Sequence, residues 1–143
     1  MYDNVLVATD GSTGTVETLS HAISIARDNE AVLHGLYVVD KRLYLAAEKD
    51  VKADVRQSLQ EEGEVALDDV VVRGEEAGLT VETAMEEGIP HKTIAEYAEQ
   101  TDVDLIVMGT HGRTGRDRVA NLGSVTERVV QNAPVPVLVV HIE

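Results

Sequence analysis

Five short apolar runs, separated by stretches with a helical period, narrow the choice of fold more than any other feature of this chain. They are Val5 to Thr9 (VLVAT), Ala31 to Val39 (AVLHGLYVV), Leu79 to Met85, Val103 to Met108 and Val137 to Val140 (VLVV). Near-continuous apolar runs mark strands buried on both faces, which requires helices packed on each side of a sheet. Such helices are written between them. From Thr15, the residues Val16, Leu19, Ile23 and Ala26 recur at three- and four-residue spacing and predict an amphipathic helix ending near Asp28-Asn29. Val51 to Ala77 carries Val55, Leu59, Ala66 and Val70 among many acids, which predicts a long helix with a solvated face. Gly78 ends it, and Gly63 inside it marks a candidate kink. Pro90 suits the first turn of a helix that buries Ile94, Tyr97 and Ala98. Ser124 to Gln131 is the last helix, closed by Pro134 and Pro136. Asp40 to about Asp50 has no strong period and reads as a connection, and Glu86-Glu87-Gly88 reads as a turn.

Strands alternating with helices imply right-handed βαβ units, hence an α/β fold with a mostly parallel sheet. The pattern does not by itself set the order of the strands. In such sheets ligands bind beyond the carboxyl ends of the strands, where strand order reverses. Three segments are expected to converge there: Ala8-Thr9-Asp10, Val38-Val39-Asp40 and the loop that begins at Gly109.

The Gly109 loop carries the chemistry. The fourth strand stops at Gly109, and a loop containing Gly109, Gly112 and Gly115 holds Arg113, Arg116 and Arg118. Gly123-Ser124 comes next, and Ser124-Val-Thr-Glu127 has capping-box spacing for a new helix. Strand, glycine loop and helix start is the order that turns free backbone N–H groups toward an anion. The loop is neither a Walker loop, having no Gly-Lys-Ser/Thr, nor a G-x-G-x-x-G fingerprint. Three cations together stand out in a chain with 12 Lys+Arg against 26 Asp+Glu. It reads as a phosphate-binding loop.

Gly-Thr-His-Gly, a spacer and Gly-Ser resemble the ATP-binding signature of universal stress proteins, G-x2-G-x9-G-Ser/Thr. The likeness runs from VLVATDGS (Val5 to Ser12) to the final VPVLVV. The spacer between Gly112 and Gly123 has ten residues here, Arg113 to Leu122, against nine in the family pattern. One extra residue inside a helix would rotate Gly123 by about 100°, whereas a loop absorbs it as slack. The resemblance implies a five-stranded parallel open sheet in the order 3-2-1-4-5, Rossmann-like, with helices on both faces and the crevice between the first and fourth strands. It implies ATP with Mg²⁺ as ligand.

Residue by residue, the resemblance places Asp10 at a ribose hydroxyl or at Mg²⁺, while Asp-Gly-Ser-Thr also suits turn chemistry. Ala8 and Thr9 precede Asp10 at the same strand end. Val38 would meet adenine through its backbone, and Met108 is a core residue next to nucleotide contacts. Gly109, Gly112 and Gly123 would let backbone approach the phosphates. Ser124 either caps the last helix, a bond worth about 1 kcal/mol, or turns to a phosphate oxygen. Val125 and Thr126 would add first-turn N–H donors. Arg113 suits bidentate contact to phosphate, whereas Arg116 and Arg118 more readily pair with Asp117 or surface carboxylates. His111 suits positioning or a phosphate hydrogen bond rather than general-base work. The other histidines lack metal-ligand spacing, and no protein-only metal site is expected. Universal stress proteins commonly dimerise through their last strand, so a homodimer through Val135 to Val140 is expected.

At 143 residues the chain is expected to form one domain. No apolar run approaches the roughly 20 residues of a membrane span. MYDNVLVATD has no basic n-region, so no signal peptide is expected and the cytoplasm is the expected location. The absence of Cys excludes disulfides and thiolate metal sites. A net charge of −14 argues against nucleic acid and suggests adaptation to high internal salt, beside the plainer reading of an ordinary acidic protein. Together these point to an ATP-binding regulatory or stress-response homodimer with an unidentified protein partner. A nucleotide-free interaction module of the same fold is one alternative. A slow ATPase or nucleotidyl-transfer enzyme using the same crevice is another.

Overall fold

The computed structural model describes residues 1–12, 14–110 and 122–142. In chain order the elements are β1 (Asn4–Thr9), α1 (Thr15–Asn29), β2 (Val32–Asp40), α2 (Lys41–Leu45), α3 (Lys52–Glu76), β3 (Val81–Gly88), α4 (Pro90–Gln100), β4 (Leu105–Gly109), α5 (Ser124–Asn132) and β5 (Val137–Val140). These strands pair in parallel, in the order β3-β2-β1-β4-β5. The order reverses between β1 and β4, where Val7 lies between Gly35 of β2 and Val107 of β4.

Strand alternation sorts the core onto two faces. Val5, Val7, Leu105 and Val107 pack against Leu19, Ala22 and Ala26 of α1. Leu6, Leu36, Ile106 and Met108 point the other way, to Ile94 and Ala98 of α4 and Val129 of α5. Tyr37 and Val39 lie under Leu59, Ala66 and Leu67 of α3. The apolar runs of β1, β2 and β4 are therefore continuous because both faces are covered.

Three local expectations change, and one glycine gains a packing reason. Helix α3 runs through Gly63, where a Cβ would lie 2.5 Å from Tyr37 Cδ1. The glycine gives close approach of helix to sheet. Asp40–Asp50 is not merely a connection, because the Asp40 carboxylate accepts from Arg42 N–H (3.0 Å) and caps the short helix α2. One turn is too short to show a period. Glu86-Glu87-Gly88 continues β3 instead of turning, pairing with Val38-Val39-Asp40. An edge strand with a solvated side tolerates those acids. Finally, β4 starts at Leu105, because Asp104 turns its carboxylate back to the N–H groups of Asp3 (2.9 Å) and Asn4 (3.2 Å).

One buried polar group is fully partnered. His34 of β2 is 5% exposed, with Nε2 3.0 Å from Asn4 Oδ1 and Nδ1 3.2 Å from Tyr97 OH. An amide oxygen only accepts, so Nε2 donates and Nδ1 takes the Tyr97 proton, which is the neutral tautomer. Burial lowers its pKa, against the opposing pull of Glu82, Asp102 and Asp104.

Candidate functional site

A crevice of about 320 Å³ opens at the carboxyl ends of β1, β2 and β4. Ten sequence-predicted site residues line it: Ala8, Thr9, Asp10, Val38, Met108, Gly109, Gly123, Ser124, Val125 and Thr126. These are all the predicted residues that the structure describes. His111, Gly112 and Arg113 lie outside the described residues, as do Gly115, Arg116, Asp117 and Arg118.

The crevice is divided chemically. On the β1 side, Gly11 takes a positive φ of 78°, and Ser12 N–H donates to Asp10 Oδ1 (2.9 Å). Asp10 thus does perform turn chemistry, and it does so at the crevice wall. Gly11 N–H donates to Thr9 Oγ1 (3.3 Å), which in turn lies 3.2 Å from Thr15 Oγ1 of α1. On the β2 side the lining is mostly apolar, with Leu36, Val38, Leu43, Leu59, Pro90 and Ile94 beside Asp40 at the strand end. Met108 is both things the sequence suggested, 5% exposed in the core and present at the crevice wall.

The α5 start departs from the capping-box expectation. Gly123 is the N-cap, and the Ser124 side chain makes no cap bond. The first bond of α5 runs from Glu127 N–H to Gly123 O (2.9 Å). The N–H groups of Ser124, Val125 and Thr126 therefore precede the intrahelical ladder, at the positive end of the helix dipole. The helix is positioned without Ser124: Thr126 Oγ1 donates to Gly109 O (2.8 Å), and Gly123 N–H donates to Thr110 O (2.7 Å). The second bond joins the two ends of the segment that carries the ten-residue spacer. The first bond ties α5 directly to the end of β4.

Gly109 has a packing reason to lack a side chain. A Cβ there would collide with Ile142 Cδ1 and lie 3.1 Å from Thr18 Oγ1. Ile142, Thr18 and Leu43 belong to the crevice but were not readable as site residues. Ile142 and Thr18 carry no motif and reach the site only by packing. Leu43 reaches it because Asp40 winds α2 over the apolar half. Helix α2 is held there from outside: Tyr44 OH donates to Glu87 Oε1 (3.2 Å), and Arg56 grips both Glu87 oxygens (2.7 and 2.5 Å). That grip holds the Glu87 carboxyl below its usual pKa, opposed by desolvation.

Among the described lining residues the charged side chains are Asp10 and Asp40, both carboxylates. Arg42 neutralises Asp40 through a paired contact, with Nε at 2.9 Å and Nη2 at 2.8 Å. A polyphosphate in this crevice would need cations from elsewhere: a divalent ion shared with Asp10, or arginines of the loop. The hydroxyls, the first-turn N–H groups and the Asp10 carboxylate suit a magnesium-bound phosphate chain. The aliphatic half suits a base.

Comparison with known proteins agrees with this geometry. Residues 1–141 match the model of the universal stress protein family. Universal stress protein MJ0531 of Methanocaldococcus jannaschii is 43% identical over 141 residues, covering 98% of this chain and 82% of that protein. The solved structure of MJ0577, a universal stress protein of the same organism, superposes with a TM-score of 0.87 at 31% identity, covering 100% of this chain and 98% of that one. A universal stress protein solved in complex with cAMP gives a TM-score of 0.74 at 27% identity, each chain covered to 99%. The chain belongs to the universal stress protein family.

Proposed function

We propose that the crevice binds ATP with Mg²⁺, and that the chain acts as a regulatory or stress-response homodimer. One observation carries the reading. Ten residues picked out as nucleotide contacts line a single cavity at the reversal of strand order, the place where such sheets take ligands. Its volume of about 320 Å³ falls at the small end of the range for small-molecule sites. The family member in complex with cAMP supports an adenine nucleotide as the ligand class. In this reading adenine lies in the aliphatic half beside Val38. The phosphates meet the start of α5, and Asp10 shares the magnesium ion.

The mechanism is ligand-linked rather than catalytic. Bound nucleotide stabilises the folded chain by RT ln(1+[L]/Kd), and a protein partner reads the conformation of the crevice rim. The dimer contact assigned to the last strand has support in its surroundings. Among the described strands, β5 pairs with β4 on one side only, and Leu138 of β5 and Val130 of α5 are 36% and 46% exposed.

The deciding experiment is calorimetric titration of nucleotide-stripped protein with Mg-ATP in multi-molar KCl. Saturable micromolar binding near one site per chain, lost in Gly123→Val, is the expected result. Absence of heat and of thermal stabilisation at millimolar ATP would favour the second reading, a nucleotide-free interaction module. The ten-residue spacer is the feature that speaks for that module.

A further inference from the structure

Thr110 comes directly after β4 and uses three of its groups on three different parts of the chain. Its N–H donates to Val140 O at the end of β5 (2.9 Å). Its carbonyl accepts from Gly123 N–H at the start of α5 (2.7 Å). Its hydroxyl accepts from Ile142 N–H in the C-terminal tail (3.1 Å). The tail is thereby folded back beneath the crevice, where the Ile142 side chain is 7% exposed. There it fills the space left by two glycines. A Cβ on Gly14 would lie 2.6 Å from Ile142 Cδ1, and one on Gly109 would collide with the same atom. Gly14 is the N-cap of α1 and Gly109 ends β4. Ile142 is also part of the crevice lining.

From this arrangement we propose that Thr110 and Ile142 form a latch that makes the C-terminal tail a wall of the nucleotide site. Thr110 is a positioning residue for the phosphate end, and Ile142 sets the spacing between the α1 start and the β4 end. The inference rests on the nucleotide reading above and adds a component to that site. Its physical basis is economy of connection: one residue joins the tail, the last strand and the helix start that faces the phosphates. A nucleotide that draws the α5 start inward pulls on the Thr110 carbonyl. The tail bonded to the same residue is then held more firmly. Reciprocally, releasing the tail loosens the Gly109–Thr110 end of the site and weakens binding.

The test uses the full chain with Mg-ATP as probe and needs three measurements. In wild type, amide hydrogen exchange at Ile142 is expected to slow when Mg-ATP binds. Thr110→Val keeps the shape and both backbone bonds but removes the hydroxyl, and with it the acceptor for Ile142 N–H. It is expected to weaken Mg-ATP binding by about three- to ten-fold. Thr110→Ser restores the hydroxyl and is expected to bring the affinity back to within about two-fold of wild type. A merely structural role would lower the melting temperature of Thr110→Val without altering tail protection on ligand binding. Wild-type binding with unchanged exchange at Ile142 and equal affinities in the two variants would overturn the latch and leave the nucleotide reading standing. Failure of wild type to bind Mg-ATP at all would overturn both together.

Discussion

Replacing Gly63 by alanine sets helix propensity against packing, and the two predict opposite signs. Gly63 lies near the middle of the 25-residue helix α3, where alanine is worth about 1 kcal/mol over glycine. Judged by propensity alone, Gly63→Ala stabilises the protein. The packing says otherwise. The added Cβ would stand 2.5 Å from Tyr37 Cδ1, 2.8 Å from Tyr37 Cε1 and 2.7 Å from Met85 Cε. Met85 is half-buried and can swing aside. Tyr37 is 1% exposed and held between α3 and the sheet. To restore ordinary carbon–carbon contact, its ring must withdraw by about 1 Å. Overpacking of this kind costs about 1–3 kcal/mol. Subtracting the helix gain leaves a net loss of about 1 kcal/mol, or about 3 °C in melting temperature for a chain of this size. Tyr37 also lines the crevice, so the displaced ring should lower Mg-ATP affinity as well. Urea denaturation followed by circular dichroism measures the first effect. Val65→Ala, at a 71% exposed position on the same helix, isolates the propensity gain and should stabilise by about 0.5 kcal/mol. A Gly63→Ala midpoint above wild type would refute the claim that this glycine exists for helix–sheet contact.

Acid should weaken the fold first through histidine. Burial lowers the folded-state pKa of His34, so the unfolded chain takes up the proton first as pH falls below about 6.5. Stability is complete above that pH and declines as pH drops toward the lowered folded value. His91, lowered by desolvation and then by Arg128, Lys92 and Arg42, acts in the same direction. Urea midpoints at pH 7.5 and 5.5 should therefore differ, and by less in His34→Gln; an equal difference would remove His34 from the explanation. Nucleotide binding should be strengthened by a divalent cation, since Asp10 and Asp40 are the charged side chains of the described crevice lining. Asp10→Asn should lower Mg-ATP affinity while leaving magnesium-free ATP binding no weaker, and calorimetry with and without EDTA separates the two. The net charge of −14 predicts a rising melting temperature between 0.1 and 1 M KCl, as the screening length contracts from about 10 to about 3 Å. A flat salt profile would count against adaptation to high salt.

Much of the candidate site was legible because its described lining comes from strand ends and the start of a helix. Strand ends are visible where an apolar run meets Asp10 or Gly109, and βαβ connectivity sends them to one rim. The residues that escaped were those whose role is set by distant packing. Gly63 looks like a flaw in a helix until Tyr37 is seen behind it. Leu43 lies in a segment too short for periodicity, and its place depends on the Asp40 cap. Ser124 has the spacing of a cap, yet Gly123 takes that position because Thr126 and Thr110 already hold the helix start.

Local sequence by itself determined most of the strands and helices, with α2 and the end of β3 the exceptions, that the strands run parallel, and which ends of them meet. Those outcomes follow from burial periodicity and the right-handed crossover, which act over one or two elements. Tertiary structure alone decided that the tail returns to the crevice through Thr110. It also decided that Thr110 and Gly123, which flank the segment carrying the ten-residue spacer, are joined at 2.7 Å. Both depend on contacts between residues far apart in the chain, whose energies no local pattern encodes.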